Sequence, residues 1–191
     1  MQPHRVDGSG SAPRCAAERV YGYLEARVKI PYGDGQSGLW PAFWLVPERP
    51  TWPPEIDVFE FFGDSYCPQF SSWRCPMGSD ADRYYEPGGN CPWNYDYSEE
   101  YHTFGIEWNE NEITRYIDGK KSGTLPANCN TEDMYIVMCF GTEYNENGNP
   151  TWFGVPQFEN GPQYLDTDYI RVWKKRDAPV STISKPKRDT H

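Results

Sequence analysis

The sequence predicts an all-β fold built as a sandwich of two packed antiparallel sheets. Its 191 residues include 17 glycines and 18 prolines, which divide the chain into short elements and argue against long helices. Between these breaks, apolar and polar residues alternate in short runs, the pattern of strands that are buried on one face. The length suits a single domain with one core, so a sandwich is the simplest arrangement of these strands.

Seven strands are predicted in chain order, two of them joined as a hairpin. They are "RVYGYLEARVKIP" (19–31), "LWPAFWLVP" (39–47), an acidic strand at 55–62, the hairpin at 101–123 that turns at "NENE", "MYIVMCFG" (134–141) and "LDTDYIRVWKK" (165–175). Residues 63–97 have few apolar runs and many turn formers, which predicts a long excursion over the surface.

The two ends of the chain are predicted to lie outside the domain. Residues 1–18 are expected to form an irregular leader, and residues 175–191 a basic flexible tail. The leader contains no apolar segment of the kind found in a secretion signal. The domain itself is therefore placed at 19–174.

Charge and hydropathy exclude several classes of partner. The net charge is −10, and the last eighteen residues hold six Lys or Arg against two Asp, so the body is more acidic still. Such a body binds nucleic acid poorly, because that binding depends on neutralising phosphates. No apolar run approaches the length of a membrane span. We expect a monomer with no nucleic-acid partner and no membrane insertion.

The cysteines indicate an oxidising compartment. Cys67, Cys75 and Cys91 cluster in a turn-rich stretch, where disulfides could staple a long loop, and their spacing matches no familiar zinc pattern. We therefore predict an extracellular protein, although no signal peptide is present in this chain. Cys139 lies within an apolar strand and is expected to be a small buried residue.

The acidic strand "EIDVFEF" carries the candidate chemistry. Side chains alternate along a regular strand, so Glu55 and Asp57 share a face while Glu60 would fall on the other. A β-bulge between Asp57 and Glu60 would add one residue and return Glu60 to the same face. Glu55 and Glu60 would then stand roughly 13 Å apart at Cα. Leaning together, their carboxyl groups could approach to about 5 Å, the spacing of retaining glycosidases.

Each acid then has a predicted role. Glu55 is the candidate nucleophile at an anomeric carbon, Glu60 the acid and base, and Asp57 the residue that holds one glutamate in place. Three acids on one face would also suit a calcium ion, although such sites favour loops rich in Gly, Asn and Asp. The remaining alternative is that the three acids lie on a solvent-exposed face of the strand and have no catalytic role.

The order and spacing of several motifs resemble glycoside hydrolase family sixteen. These are "GLWPAFWLVPE", "WPPEIDVFEFFG", "YHTFGIEW", "YIDGK" and "DTDYIRVWK", and the resemblance runs from about residue 19 to residue 174. The acids match the bulged form E-x-D-x-x-E of the branch that contains laminarinase-like endo-β-1,3-glucanases. The resemblance implies a concanavalin A-like jelly-roll sandwich with a sugar cleft across one sheet. It also implies that Glu55, Asp57 and Glu60 are catalytic.

The resemblance adds candidate substrate-binding residues. Trp40 and Trp44 match the aromatic positions of "GLWPAFW", and Trp52 precedes the acids and could line the rim of the cleft. His102 and Trp108 match "HTFGIEW". They lie an even number of residues apart and therefore point to the same face of the strand, so at least one is expected to face the substrate. A core position for Trp44 and a structural role for His102 are the alternatives.

The chain also departs from the family pattern. Members usually carry further strands before the segment at residue 19, so a sandwich lacking N-terminal strands is one expectation. Many members hold a structural calcium, and Asp168 matches a residue near that site, but its early-chain partners are not found in the sequence. No cofactor is required by the predicted chemistry, and no metal ligands are assigned.

Three functions remain open on the sequence. The first is a retaining endo-hydrolase of a β-linked polysaccharide, most simply a laminarin-type β-1,3-glucan. The second is a truncated, non-catalytic, lectin-like sandwich that binds carbohydrate. The third is a structural wall protein, and a variant of the first is a hydrolase or transglycosylase that acts on an algal galactan. Three mutually repelling acids favour catalysis, because a binder has no need of them.

Overall fold

The computed structural model describes residues 4–6, 15–17, 21–48, 52, 54–73, 83–85, 95–127, 133–142, 148–149, 151–156, 158 and 161–174. These residues form twelve strands and no helix. The strands are β1 (His4–Val6), β2 (Cys15–Ala17), β3 (Gly22–Lys29), β4 (Trp40–Pro47), β5 (Glu55–Glu60), β6 (Gln69–Trp73), β7 (Arg83–Tyr85), β8 (His102–Trp108), β9 (Glu112–Ile117), β10 (Lys120–Pro126), β11 (Met134–Gly141) and β12 (Leu165–Lys174). No helix in this part of the chain could cross a membrane.

The strands form two antiparallel sheets of six strands each, which confirms the predicted sandwich. The first sheet has the order β1-β12-β3-β8-β9-β10, and the second has the order β2-β11-β4-β5-β6-β7. The acidic strand β5 lies inside the second sheet, between β4 and β6. Its backbone is therefore held from both sides, which is the rigid support that a site of fixed geometry needs.

Aromatic side chains join the two sheets across the core. Phe59 of β5 packs against Phe104 of β8 with ring centroids 4.7 Å apart, and both side chains are fully buried. Phe61 and Phe43 extend the cluster around Phe59. Burying one such ring stabilises the fold by about 1.5–3 kcal/mol. The side of β5 opposite the acids is thus anchored in the core.

A buried arginine also connects the sheets. Arg115 of β9 is fully buried, and its Nη1 donates to the carbonyl oxygen of Pro68, immediately before β6, over 2.7 Å. Its Nε donates to Ser122 Oγ over 2.7 Å, and the guanidinium lies over the Phe70 ring. These contacts fix the start of β6, the neighbour of the acidic strand.

Several strands lie where the sequence predicted none. The leader, expected to be irregular, contains β1 and β2, which pair with β12 and β11. The segment 63–97, expected to be a surface excursion, contains β6 and β7. β1, β2 and β7 have three residues each, too few to show a periodicity. β10, a polar strand at the edge of the first sheet, begins inside the predicted hairpin and extends past its end at residue 123. The predicted basic tail, 175–191, lies outside the described residues.

Candidate active site

A β-bulge in β5 gathers the acids, as the sequence predicted. On the neighbouring strand β4, Trp44 pairs with Asp57 and Ala42 pairs with Glu60, so only Phe43 lies opposite the two residues between the acids. The extra residue is Val58, which is fully buried like its neighbour Phe59. Two consecutive side chains therefore enter the core, and Glu60 returns to the face of Asp57.

The three acids line one cavity of about 400 Å³ on the face of the second sheet that points away from the core. Its lining residues are Trp40, Ala42, Trp44, Glu55, Asp57, Glu60, Cys139, Phe140, Gly141 and Thr142. Ile56, between the first two acids, is fully buried in the core instead. The common face of Glu55, Asp57 and Glu60 is therefore confirmed.

A second cavity of about 510 Å³ adjoins the first. It is lined by Trp40, Glu55, Glu60, Phe62, Gln69, Trp73 and Trp152. The two cavities share Trp40 and both glutamates. Glu55 and Glu60 thus stand at the junction of two spaces that are both walled by aromatic rings.

Asp57 is held rigidly between the glutamates. Its side chain is only 1% exposed, and the hydroxyl of the fully buried Ser71 on β6 donates a short hydrogen bond to Asp57 Oδ2. Ser71 pairs with Asp57 in the register of β5 and β6. A charge-assisted bond from a buried hydroxyl fixes a carboxylate strongly. Asp57 is therefore positioned to act on its neighbours without leaving its place.

Glu55 has an unusual proton affinity. Burial and the neighbouring Asp57 carboxylate raise the pKa of Glu55 to about 8, while the hydrogen bond from Trp52 acts to lower it. The carboxyl group of Glu60 adds to the rise. Three carboxyl groups this close cannot all ionise, so the set of Glu55, Asp57 and Glu60 together retains a proton near neutral pH. Acid–base catalysis by two carboxyl groups requires one protonated and one ionised member.

Trp40 contacts Glu60 directly. Its indole Nε1 donates to Glu60 Oε1 over 3.2 Å. The ring is partly buried and packs against Phe62 and Phe153, with centroids 5.4 and 6.2 Å away. Trp40 therefore lines both cavities, where it was expected, and also belongs to an aromatic cluster that fixes its orientation.

Trp44 lies on the cleft side of β4 rather than in the core. Its Nε1 donates to Cys139 Sγ over 3.3 Å. The prediction that Cys139 is a buried apolar residue is wrong, because this free thiol is part of the cavity wall. Burial raises the pKa of the Cys139 thiol, the Trp44 bond lowers it, and the three carboxylates raise it further. Gly141, two residues further along β11, lines the same cavity.

His102 and Trp108 are not part of this cleft, and their prediction as substrate-binding residues is wrong. Both belong to β8 in the first sheet, whereas the acids lie on the second. His102 is 8% exposed, and its Nδ1 lies 2.7 Å from Asp118 Oδ2. Trp108 is 2% exposed and packs edge-on against Tyr21. The two side chains do lie on the same face of β8, as predicted, but that face points toward the core.

Trp52 does lie at the rim, as predicted. Its side chain is 46% exposed, and its Nε1 donates to Glu55 Oε2 over 2.8 Å. The ring packs against Trp73 with centroids 5.3 Å apart. Sequence reasoning missed Trp73 and Trp152, which lie in segments predicted to be loops, and it did not single out Phe62 at the end of the predicted acidic strand. The polarity of "QFSSW" does not alternate, and only the pairing of β6 with β5 shows that Trp73 lies beside the acids.

The calcium site implied by the resemblance does not fit the described residues. Asp168 instead pairs with Arg27, whose Nη1 lies 2.8 Å from Asp168 Oδ2. Among the ranges that the structure describes, no group of three His, Cys, Asp or Glu side chains is arranged to hold a metal ion.

An antiparallel jelly-roll sandwich with three carboxylates gathered by a bulge between tryptophan rings has the architecture of the β-sandwich glycoside hydrolases. The chain belongs to glycosyl hydrolases family 16, whose family model matches residues 5–143.

Two curated relatives are 31% and 37% identical to the chain. They are a glucan endo-1,3-beta-glucosidase A1 of Niallia circulans, aligned over 82% of this chain, and an endo-1,3-1,4-beta-glycanase of Rhizobium meliloti (strain 1021), aligned over 63%. The chain spans only 24% of the length of each.

A solved structure shows the same fold. The laminarinase catalytic domain from Thermotoga maritima MSB8 superposes with a TM-score of 0.64 and is 29% identical. The match covers 84% of this chain and 66% of that one.

Proposed function

We propose that this protein is a retaining endo-hydrolase of a neutral β-linked glucan. The observation that carries the proposal is the position of Glu55 and Glu60 at the junction of two aromatic-walled cavities. A polysaccharide bound across this junction places sugars on both sides of the bond to be cleaved. That is the arrangement needed to cut within a chain rather than at its end.

The residues support a double displacement. The ionised Glu55 attacks the anomeric carbon while Glu60 donates its proton to the departing glycosidic oxygen, which leaves a covalent glycosyl-enzyme. Glu60 then removes a proton from water, whose oxygen attacks the same carbon and releases Glu55. The charge of the buried Asp57 raises the pKa of Glu55, and the hydrogen bond from Trp52 lowers it, toward the ionised form that attacks.

The cavity walls favour a neutral glucan over a sulfated galactan. Neither cavity is lined by a described Lys or Arg, and the walls carry three carboxyl groups. Tryptophan rings such as Trp40 and Trp44 suit the apolar faces of pyranose rings. The two relatives are named for action on a 1,3-linked glucan and for 1,3-1,4-beta-glycanase activity, which supports a β-1,3-linked substrate for this chain.

The same proposal includes an extracellular monomer. Cys67 is disulfide-bonded, and stable disulfides form in oxidising compartments. An extracellular location also brings the protein to polysaccharides too large to enter a cell.

The direct test is digestion of a panel of laminarin, mixed-linkage β-glucan, agarose and carrageenan. We expect oligosaccharides of several lengths from laminarin early in the reaction, the product pattern of an endo-enzyme. NMR of the fresh products should show the β-anomer first, because two displacements retain configuration. Binding of a glucan without any product would support the lectin-like alternative, and initial α-anomer would overturn the retaining mechanism.

A further inference from the structure

The hydrogen bond between Trp52 and Glu55 is a feature that substrate stacking does not explain. Trp52 Nε1 donates to Glu55 Oε2 over 2.8 Å, from three residues upstream on the same chain. The indole is held in place by Trp73, the residue that pairs with Glu55 across β5 and β6. Both the donor and its support are therefore built around a single carboxyl group.

Glu55 needs such a donor because its other neighbours oppose its negative charge. Asp57 and Glu60 approach it from its own strand, and the Cys139 thiol faces the same cavity from β11. From β4 and β6 the neighbouring side chains are uncharged, namely Trp40, Trp44, Gln69 and Trp73. No described Lys, Arg or His lines either cavity.

A nucleophile must nevertheless be ionised when the substrate arrives. Burial and Asp57 raise the pKa of Glu55, so the proton retained by the acids is drawn to the residue that should lack it. The hydrogen bond from Trp52 acts in the opposite direction, since it stabilises only the ionised form strongly. A donor on Glu55 also shifts the shared proton toward the other acids, where Glu60 can use it.

We propose that Trp52 is a positioning residue that orients the Glu55 carboxyl group and favours its ionised form through the indole N–H, rather than a platform for the sugar. This role rests on the proposed hydrolase function. Trp73 takes part by fixing the plane of the Trp52 ring. The exposed edge of Trp52 then marks the rim of the cleft without itself defining a sugar subsite.

Trp52→Phe is the informative variant, because it keeps an aromatic ring against Trp73 but removes the N–H. We expect kcat on laminarin to fall roughly tenfold or more at neutral pH, the effect of losing one hydrogen bond to a charged group. KM should change little, and the acidic limb of the kcat/KM profile should move to higher pH. Trp173→Phe, on β12 of the other sheet, is the matched control and should leave all three quantities unchanged.

A second variant removes only the N–H and guards against misfolding of the first. Replacing Trp52 by benzothienylalanine preserves the shape of the indole and substitutes sulfur for the nitrogen. It should reproduce the shift of the acidic limb with an unchanged melting temperature. If either variant raises KM while the acidic limb of its kcat/KM profile stays at the wild-type pH, the proposal is overturned and Trp52 is a sugar-contacting residue.

A measurement without turnover separates this inference from the proposed function. In protein labelled with ¹³C at the glutamate carboxyl carbons, the resonance of Glu55 is assigned by its loss in Glu55→Gln. The midpoint of the pH titration of this resonance should lie at higher pH in Trp52→Phe than in the wild type. Equal midpoints overturn the inference even if the enzyme is active. A shifted midpoint in a protein that cleaves no glucan supports the Trp52 bond while the hydrolase proposal fails.

Discussion

The indole nitrogen of Trp40 lies 3.2 Å from Oε1 of Glu60, so the first tryptophan of β4 is bonded to the last acid of β5. This contact joins two adjacent strands across the junction of the two cavities. The same ring packs on Phe62 and Phe153. Trp40 therefore combines three tasks that the sequence could not separate: it lines the cleft, it orients Glu60, and it contributes to local packing.

Trp40→Ala should weaken binding of a laminarin oligosaccharide by roughly 1–3 kcal/mol, since one aromatic contact and its buried area are lost. Isothermal titration on a background of Glu55→Gln, which prevents turnover, measures the effect. The packing on Phe62 and Phe153 predicts a lower melting temperature as well. A stability loss with unchanged affinity would assign Trp40 to packing alone.

The stereochemistry of azide products should identify the role of each glutamate. In Glu55→Ala, azide can occupy the place of the nucleophile, and a single displacement gives a glycosyl azide of inverted configuration. In Glu60→Ala, activated substrates still glycosylate Glu55, and azide then intercepts the intermediate with net retention. The products are distinguished by NMR. The same configuration from both variants would contradict the assignment.

The raised pKa of Glu55 also predicts a pH-dependent stability. Because the folded protein binds this proton more tightly than the unfolded chain, the stabilisation is present below the unfolded value and is lost as pH rises from about 4.5 to about 8. Glu55→Gln should therefore be more stable than the wild type at pH 9, by on the order of 2 kcal/mol, and similar at pH 4.5. Urea unfolding at the two pH values measures the difference. Glu110→Gln, a substitution at an exposed position, is the control and should not differ from the wild type in stability at either pH.

Cys139 should report occupancy of the cleft. Alkylation by iodoacetamide is expected to be slow at neutral pH, because the thiol has a raised pKa, and faster above pH 9. Modification should block hydrolysis, since the added group fills the cavity beside Trp44 and the acids. A laminarin oligosaccharide should protect the thiol, as followed by peptide mass spectrometry. Cys139→Ala should resist inactivation, and equal labelling with and without sugar would place the substrate elsewhere.

The acids are the part of the site that the sequence determined most fully. Alternation along a strand is a local property, and the spacing of Glu55, Asp57 and Glu60 required one extra residue to align them. The structure supplies it as Val58. The sandwich class was equally predictable, because Gly and Pro breaks and short alternating runs are visible without any long-range information.

The alternation of side chains along a strand shows which residues share a face, but it does not determine which sheet the strand joins. His102 and Trp108 share a face, as predicted, but β8 pairs with β3 and β9 in the sheet opposite the acids. Cys139 shows the converse error, since β11 pairs with β4 and turns the thiol toward the cleft. In both cases the sequence correctly predicted a strand, and long-range pairing decided which way its side chains faced.

The sequence by itself determined a β-sandwich of family 16 type with a bulged triplet of acids, because strand periodicity and motif spacing are local properties of the sequence. Tertiary structure alone decided that Trp52 bonds Glu55, that Trp40 bonds Glu60, and that Trp73 and Trp152 complete the walls. These contacts depend on the register of β4, β5 and β6 and on loop packing. Even the bond between Trp52 and Glu55, three residues apart, depends on support from the distant Trp73, and no local pattern encodes such contacts.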